Sequence, residues 1–433
     1  MPNQSHIQWF RNTTPYINAH RGKTFVVALS GECLASPQLN TILQDLVLLN
    51  SLGVRLVVVF GARPQVNTEL TLLGRKSLFE HDLRITDHAD LEIIKRIVGS
   101  LRHDLEARLS MGTANSPMRN AGIRVSSGNF VVAQPVGVLE GTDYLHTGKV
   151  RRIDTQGIAR QLADNTIVLL PPLGYSPTGE IFNLALEDVA VRAATECRAD
   201  KLIWLASPQA ITTSQGELIR ELAMSEIHSC DVDPGQGALL RSAQKACLGG
   251  VERNHIIGFD HEGALLLELF THDGAGTLVS SHPFEQCRRA NIDDVGGILE
   301  LLQPLEADGT LVKRSRELLE TEIAQFTVLE RDNRIIACAA LYTYPQANVA
   351  EVACIVCHPD YRGEQRGQRL LNVLEKSALE QRLTSVFVLT TQTAHWFIEQ
   401  GFKEQDRSEL PQPRQALYNL QRNSKVFIKT LSK

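Results

Sequence analysis

The sequence predicts an α/β chain in two parts: a parallel sheet with helices on both faces, then a smaller α+β domain. Three observations carry this reading. At 433 residues the chain exceeds what one hydrophobic core usually organises. Over its first two thirds, short β-branched runs alternate with amphipathic stretches, the pattern of a parallel sheet buried between helices. In the last third, residues 354–371 read C-I-V-C-H-P-D-Y-R-G-E-Q-R-G-Q-R-L-L, a strand entering a basic, glycine-punctuated turn and then a helix. The hydrophobic fraction of 43% and charged fraction of 21% are ordinary for a globular protein. A net charge of -5 argues against a general nucleic-acid binder, which needs a basic face to displace counterions. The start, M-P-N-Q-S-H-I-Q-W-F, lacks a basic segment followed by an apolar one, and no later run is long enough to span a bilayer, so the expected location is the cytoplasm. Eight scattered cysteines show no disulfide framework. Cys354 and Cys357, three apart on a strand, point to opposite faces and are read as structural; no metal is expected.

The elements follow in order. Residues 24–29 read as a strand, 39–52 as a helix, and 54–60 as a strand ending in G-A-R-P at 61–64. A long amphipathic helix spans 87–109, with Thr86 or Asp87 able to cap it. Further strands are expected at 166–170, 202–205, 255–259 and 265–267. The polar stretch 280–286, broken by Pro283, precedes a fresh start at R-R-A, 288–290. The expected division is therefore a first domain over 1–280, a linker over 281–287 and a second domain over 288–433. In the second, a helix over 289–302 has Asn291 and Asp293 as cap candidates, and another helix begins near Ser315. Residues 326–330 and 335–341 form a hairpin through R-D-N, 349–356 is a central strand, 367–381 a helix and 386–389 a strand.

The turn after the central strand is suited to a pyrophosphate. Unpaired amides at a helix N-terminus and the positive end of the helix dipole bind anions, and Arg362 and Arg366 add charge. Here the chain resembles the GNAT acetyltransferase family, whose turn reads R-x-x-G-x-G/A. Arg362 and Gly367 fit, while Gln365 stands where the middle glycine is expected. The resemblance implies acetyl-CoA as co-substrate, held by Arg362, Gly363, Gln365, Arg366, Gly367 and Gln368. A backbone N–H near Ile355 or Val356 would polarise the acetyl carbonyl. T-T-Q-T-A-H-W-F-I-E-Q-G-F at 390–402 is similar to a later motif of that family, with Phe397 in place of a tyrosine that protonates the leaving thiolate in several members. Phenylalanine cannot do this, and Tyr418 is the candidate substitute. An amine attacks only when neutral, so a base is needed. Glu351 lies on the central strand, with a parity different from that of Cys354 and Val356, and is the candidate. Two basic clusters, L-V-K-R-S-R at 311–316 and L-Y-N-L-Q-R-N-S-K at 417–425, suggest an acidic acceptor. Arg314 and Arg422, helped by Lys313 and Ser424, would pair with its carboxylates.

The first domain resembles the amino-acid kinase family, closest to its N-acetylglutamate kinase branch. The matching segments are F-V-V-A-L-S-G-E at 25–32, V-V-V-F-G-A-R-P-Q-V-N at 57–67, G-E-I-F-N-L-A-L-E-D at 179–188 and 255–277. Active members carry a lysine where this chain has Ala28, and Ala62 and Arg63 replace glycines that admit phosphate. Glu187 stands where an aspartate is expected. Phosphoryl transfer depends on charge placed around the moving group, so this domain is read as a kinase fold without its chemistry. Arginine-inhibited kinases of the family have an additional N-terminal helix, matched here at about 4–20. The resemblance implies an arginine effector site at Tyr16, His255, Glu268 and Gly274, because a carboxylate matches the guanidinium fork. Taken in order over the full length, the segments resemble the bacterial amino-acid N-acetyltransferases that make N-acetyl-L-glutamate. That implies acetyl transfer from acetyl-CoA to the α-amine of L-glutamate in the first step of arginine biosynthesis, feedback regulation by L-arginine, and a homo-oligomer, a hexamer. The residues alone leave open another amine acceptor or a non-catalytic arginine-sensing regulator; Ala28 argues against a phosphotransferase.

Overall fold

The protein is described by a computed structural model covering residues 3–111, 119, 121–227, 230–233, 236–271, 274–281, 285–331, 334–362, 365–418 and 424–431. Gly363 and Arg422 of the candidate site residues lie outside these. The chain forms two compact units, Met1–Pro283 and Phe284–Lys433.

The first unit is built on an eight-stranded sheet in the order Glu221–Ala223, Thr277–Ser280, Arg253–Gly258, Lys201–Ser207, Thr24–Leu29, Arg55–Phe60, Ile167–Leu170 and Val125–Ser127. Thr277–Ser280 runs antiparallel to Arg253–Gly258; the other neighbours are parallel. Two-residue periodicity sorts the first strand between two cores. Phe25, Val27 and Leu29 pack with helices Leu39–Ser51, His88–Leu109 and Ala264–Phe270, while Val26 and Ala28 pack with Thr155–Ala163, Leu186–Glu196 and Gly237–Leu248. The long helix starts where expected, with Asp87 accepting the backbone N–H of Asp90. One expectation fails: residues 265–267 are not a strand but lie within the helix Ala264–Phe270. A short apolar run does not distinguish strand from helix; the left-handed Gly263, φ 73°, starts a helical turn there. The N-terminal helix, Asn3–His20, packs on Ala264–Phe270, and a buried ring nitrogen of His20 meets the Leu269 carbonyl at 2.8 Å.

The second unit is a seven-stranded sheet in the order Glu285–Arg289, Phe326–Arg331, Arg334–Tyr344, Val349–Cys357, Ser385–Thr390, Lys425–Thr430 and Lys403–Gln405. Glu285–Arg289 is thus an edge strand where a linker and a helix start were expected; the helix begins at Val295, after a single turn capped by Asn291. All neighbouring strands are antiparallel except Val349–Cys357 and Ser385–Thr390, which are parallel and paired only from Val349↔Ser385 to Glu351↔Phe387. Beyond Glu351 they part, and residues 352–357 have no strand partner on that side among the described residues.

Glu285 anchors the helix Arg366–Glu380 to the opposite edge of this sheet. Its buried carboxylate meets Arg366 at 2.5 Å, Arg369 at 3.0 Å and Arg331 at 3.3 Å. Removing one member of a buried ion group leaves an uncompensated charge, at a cost of roughly 3–5 kcal/mol. Glu285→Gln is therefore expected to destabilise the second unit by about 3 kcal/mol, read as a lowered urea midpoint; an unchanged midpoint would show that the cluster contributes nothing net.

Candidate functional site

The candidate active site forms where the central strand is irregular. Cys338 pairs with Val356 and Ala340 with Ala353, so Cys354 and Ile355 together oppose Ala339. This is a β-bulge, and Cys354 adopts φ 53° to make it. An extra residue reverses the alternation of side chains. Before the bulge, Ala350 and Val352 enter the core beneath helix Arg366–Glu380; after it, Ile355 and Cys357 do. Cys354 and Val356 join the opposite core with helix Val295–Ala307. Glu351 therefore shares a face with Cys354 and Val356, against the parity expected for a regular strand. Cys354 and Cys357 do face opposite ways, and all eight cysteines are free.

Glu351 is 7% exposed and well partnered. Arg414 grips it with both arms of its fork, Nε to Oε2 at 2.7 Å and Nη2 to Oε1 at 3.1 Å, and the Tyr344 hydroxyl donates to Oε2 at 3.4 Å. Arg414 lies on the short helix Gln412–Ala416, between the two basic clusters singled out in the sequence. Only its isolation within a polar stretch distinguished it, so sequence reasoning missed it. Arg314 shares the chamber: it opposes the effect of burial on the Cys354 thiol, which is pushed up to about 11, while Glu351, Glu306 and Glu322 reinforce it. Tyr342 donates to Glu322 at 2.6 Å on the same side. Burial and neighbouring Glu351 together push the Tyr344 phenol up to about 12. Lys313, by contrast, is exposed. Tyr418 donates its proton to the Ser424 carbonyl at 2.6 Å and packs beside Phe387, Leu410 and Val426, which ties both residues to the last strand.

The residues of the loop suit an anion, with one correction. Gln365 caps the helix Arg366–Glu380 in a left-handed conformation, φ 52°, at the position where a glycine was expected. Its side chain makes no capping hydrogen bond to the first amides of this 15-residue helix, an arrangement suited to an anion. A Cβ on Gly367 would lie 3.3 Å from the Trp396 ring, a tight contact that a side chain could occupy only if the ring gave way slightly. Arg362 is exposed beside the turn and Gln368 is half-buried on the first helical turn. Arg366 is not a charge for the loop. It is 3% exposed and donates to Glu285 and the Tyr361 carbonyl.

In the first unit a cleft of about 240 Å³ opens at the C-terminal ends of the strands, lined by Glu32, Arg63, Arg84, Asn183 and Glu187 among others. Among the described residues no lysine lines it, and Ala28 is fully buried in the core. A second polar group lies at the end of the sheet near Gly274. His255 has one ring nitrogen 3.0 Å from Lys201 Nζ and the other 2.7 Å from Glu268 Oε1. Glu268 Oε2 accepts the N–H groups of Ala275 and Gly276 at 2.8 and 2.7 Å. Burial alone would raise the Glu268 carboxyl, but His255 and these amides outweigh it and bring it down to about 2. Gly274, φ 62°, passes so close that a Cβ would lie 2.5 Å from Glu268 Oε2. Tyr16 is half-buried on the N-terminal helix, which packs on the helix carrying Glu268. Three of the four expected effector residues thus converge, and the fourth is on the adjoining helix.

Burial, reinforced by Lys201, lowers both His20 and His255 from 6.5 to about 4. Each is neutral when folded and binds a proton near 6.5 when unfolded, so stability is complete above that pH and is lost toward pH 4. The expected loss is about 3 kcal/mol per histidine at most. The thermal midpoint of the first unit should fall between pH 7 and 4.5, and less steeply in His20→Gln; equal slopes would refute the assignment.

Residues 23–258 match the profile of the Amino acid kinase family, and 297–402 that of the Acetyltransferase (GNAT) family. The chain is 53% identical to the amino-acid acetyltransferase of Azotobacter vinelandii over 431 residues, 99% of this chain and 100% of that one. It is 52% identical to the amino-acid acetyltransferase of Pseudomonas aeruginosa over 429 residues, 98% and 99% of the two chains. Among solved structures it is similar to N-acetylglutamate synthase from Neisseria gonorrhoeae complexed with coenzyme A and L-arginine, with 35% identity, 99% coverage of each chain and a TM-score of 0.91. The complex of that enzyme with coenzyme A and N-acetyl-glutamate gives a TM-score of 0.64 at the same coverage.

Proposed function

The chain belongs to the amino-acid acetyltransferases, acetyl-CoA-dependent enzymes with an amino acid kinase-type domain before a GNAT domain, and we propose that its acceptor is L-glutamate. The observation that carries this is the pair of guanidinium groups, Arg314 and Arg414, close enough to act on each other on the face that bears Glu351. Two guanidinium groups suit an acceptor with two carboxylates, leaving its α-amine toward Glu351. The gonococcal complex with coenzyme A and N-acetyl-glutamate supports the same reading.

In this mechanism acetyl-CoA supplies the thioester, its pyrophosphate held at the turn of Arg362, Gly363, Gln365, Gly367 and Gln368. Backbone N–H groups of the unpaired strand edge around Ile355 and Val356 donate to the acetyl carbonyl. Glu351 accepts the proton of the α-amine, and Arg314 orients a substrate carboxylate, with Ser424 and Arg422 as the further substrate partners expected from the sequence. Tyr418 is the candidate acid, and it must exchange the Ser424 carbonyl for the departing sulfur. Free-thiol release from acetyl-CoA, assayed with each amino acid in turn, tests the acceptor: glutamate should be the preferred substrate, and preference for another amine would overturn the reading. Glu351→Gln should lower turnover about a hundredfold with coenzyme A affinity nearly unchanged. Arg314→Ala should raise the glutamate KM by about tenfold or more, as loss of a charged hydrogen bond predicts; unchanged kinetics would remove Arg314 from acceptor binding.

We further propose that the product enters arginine biosynthesis and that L-arginine regulates the enzyme by binding at His255, Glu268 and the Gly274 turn. Arginine in the gonococcal complex supports this. The N-terminal helix, with Ile7 and Phe10 52% and 62% exposed, suits a subunit contact in a homo-oligomer, a hexamer. Glu268→Ala should weaken the arginine response while sparing uninhibited turnover; normal inhibition in that variant would show that the effector binds elsewhere.

A further inference from the structure

The ion pair of Glu351 and Arg414 poses a chemical problem. A general base needs an oxygen lone pair for the proton it takes, and this carboxylate already accepts three donors, two from Arg414 and one from Tyr344. The bidentate grip uses the lone pairs that lie between the two oxygens, the side on which a carboxylate most readily takes a proton. Arg414 is also short of alternatives. Its remaining arm reaches the Leu417 carbonyl at 3.3 Å, its side chain is only 21% exposed, and Arg314 repels it. If Glu351 took up a proton while Arg414 kept its place, a largely buried guanidinium would lose its counter-ion, which is costly.

We propose that Arg414 couples acceptor binding to release of the base: one carboxylate of the acceptor takes the guanidinium fork in exchange for Glu351. This rests on the reading of the acceptor as a dicarboxylic amino acid. The charges then balance. The acceptor arrives with two carboxylates and an ammonium group, and one N–H bond of that ammonium breaks as an O–H bond forms on Glu351. The freed nitrogen pair attacks the acetyl carbon, the C–S bond breaks, and the departing thiolate takes up the second proton lost by the nitrogen and leaves as coenzyme A thiol. Glu351 is now neutral, and the two substrate carboxylates face the two guanidinium groups of Arg414 and Arg314. An acceptor of the same shape lacking the second carboxylate leaves the fork on Glu351, so it is penalised in turnover as well as in binding. Arg414 is thereby a positioning and specificity residue acting through Glu351.

The test compares L-glutamate with L-glutamine, its near-isostere, by thiol release in the wild-type enzyme, Arg414→Gln and Arg414→Lys. In the wild type, glutamine should show a kcat at least tenfold below that of glutamate, beyond any rise in KM. In Arg414→Gln, glutamine turnover should rise severalfold above the wild-type value, because the guanidinium fork no longer occupies Glu351 and only the Tyr344 hydroxyl remains on it, and the two acceptors should converge within about threefold. Arg414→Lys, a point charge without the fork, should lie between. Equal kcat for both acceptors in the wild type, or no gain for glutamine in a folded Arg414→Gln, overturns the exchange. The wild-type comparison needs no substitution and decides the matter if a variant fails to fold. Failure of the underlying reading looks different: the wild type would then release no thiol with glutamate.

Discussion

The second unit depends on one surplus residue in its central strand. With Cys354 in the left-handed region, the strand bulges against its antiparallel neighbour, and the ladder to Ser385–Thr390 has already ended at Glu351. Main-chain amides in a sheet are normally spent on neighbouring strands, and an unpartnered edge within a fold is a standing demand for a ligand. The bulge also turns Glu351, Cys354 and Val356 to one face, gathering carboxylate, guanidinium and phenol groups into one chamber. A non-glycine residue at φ 53° costs about 1 kcal/mol or more, and such strain is tolerated where surrounding structure enforces it. Here the enforcing structure is the tight core around Cys338, Ala340 and Val356.

A second constraint joins the anion turn to the far edge of the same sheet. Glu285 holds Arg331, Arg366 and Arg369 together, so one carboxylate offsets part of a surplus of positive charge beneath the first turn of helix Arg366–Glu380. Arg366 is used to build the turn, and Gln365 accepts a backbone conformation that glycine adopts freely. Rigid support beneath a loop is what allows its amides to meet an anion without further ordering.

The first unit shows the converse. The core that supports an amino acid kinase cleft is well formed, with Phe25 to Leu29 wholly buried, yet among the described residues the cleft carries no lysine, and Arg63 lines it where a glycine was expected. A well-formed polar cluster lies elsewhere, at His255, Glu268 and the 274–276 turn, where hydrogen bonds link Lys201, His255, Glu268 and the amides of Ala275 and Gly276.

The sequence by itself determined the two-part α/β architecture, the strands at 24–29 and 349–356, the anion turn and the cap at Asp87, because period, capping and turn chemistry act over a few residues. It also marked Glu351 by its place on the central strand and Arg314 by its basic cluster, while His255 and Glu268 were marked only through the family resemblance. Only the tertiary structure decided the rest. Residues 265–267 became helix because packing against the N-terminal helix, a contact across some 250 residues of chain, arbitrates an apolar run that propensity leaves ambiguous. Arg366 turned inward because its partner, Glu285, lies 81 positions away. Arg414 found Glu351 across 63 positions, and the parity of Glu351 reversed because a bulge depends on how two strands fit and leaves no periodic mark in either.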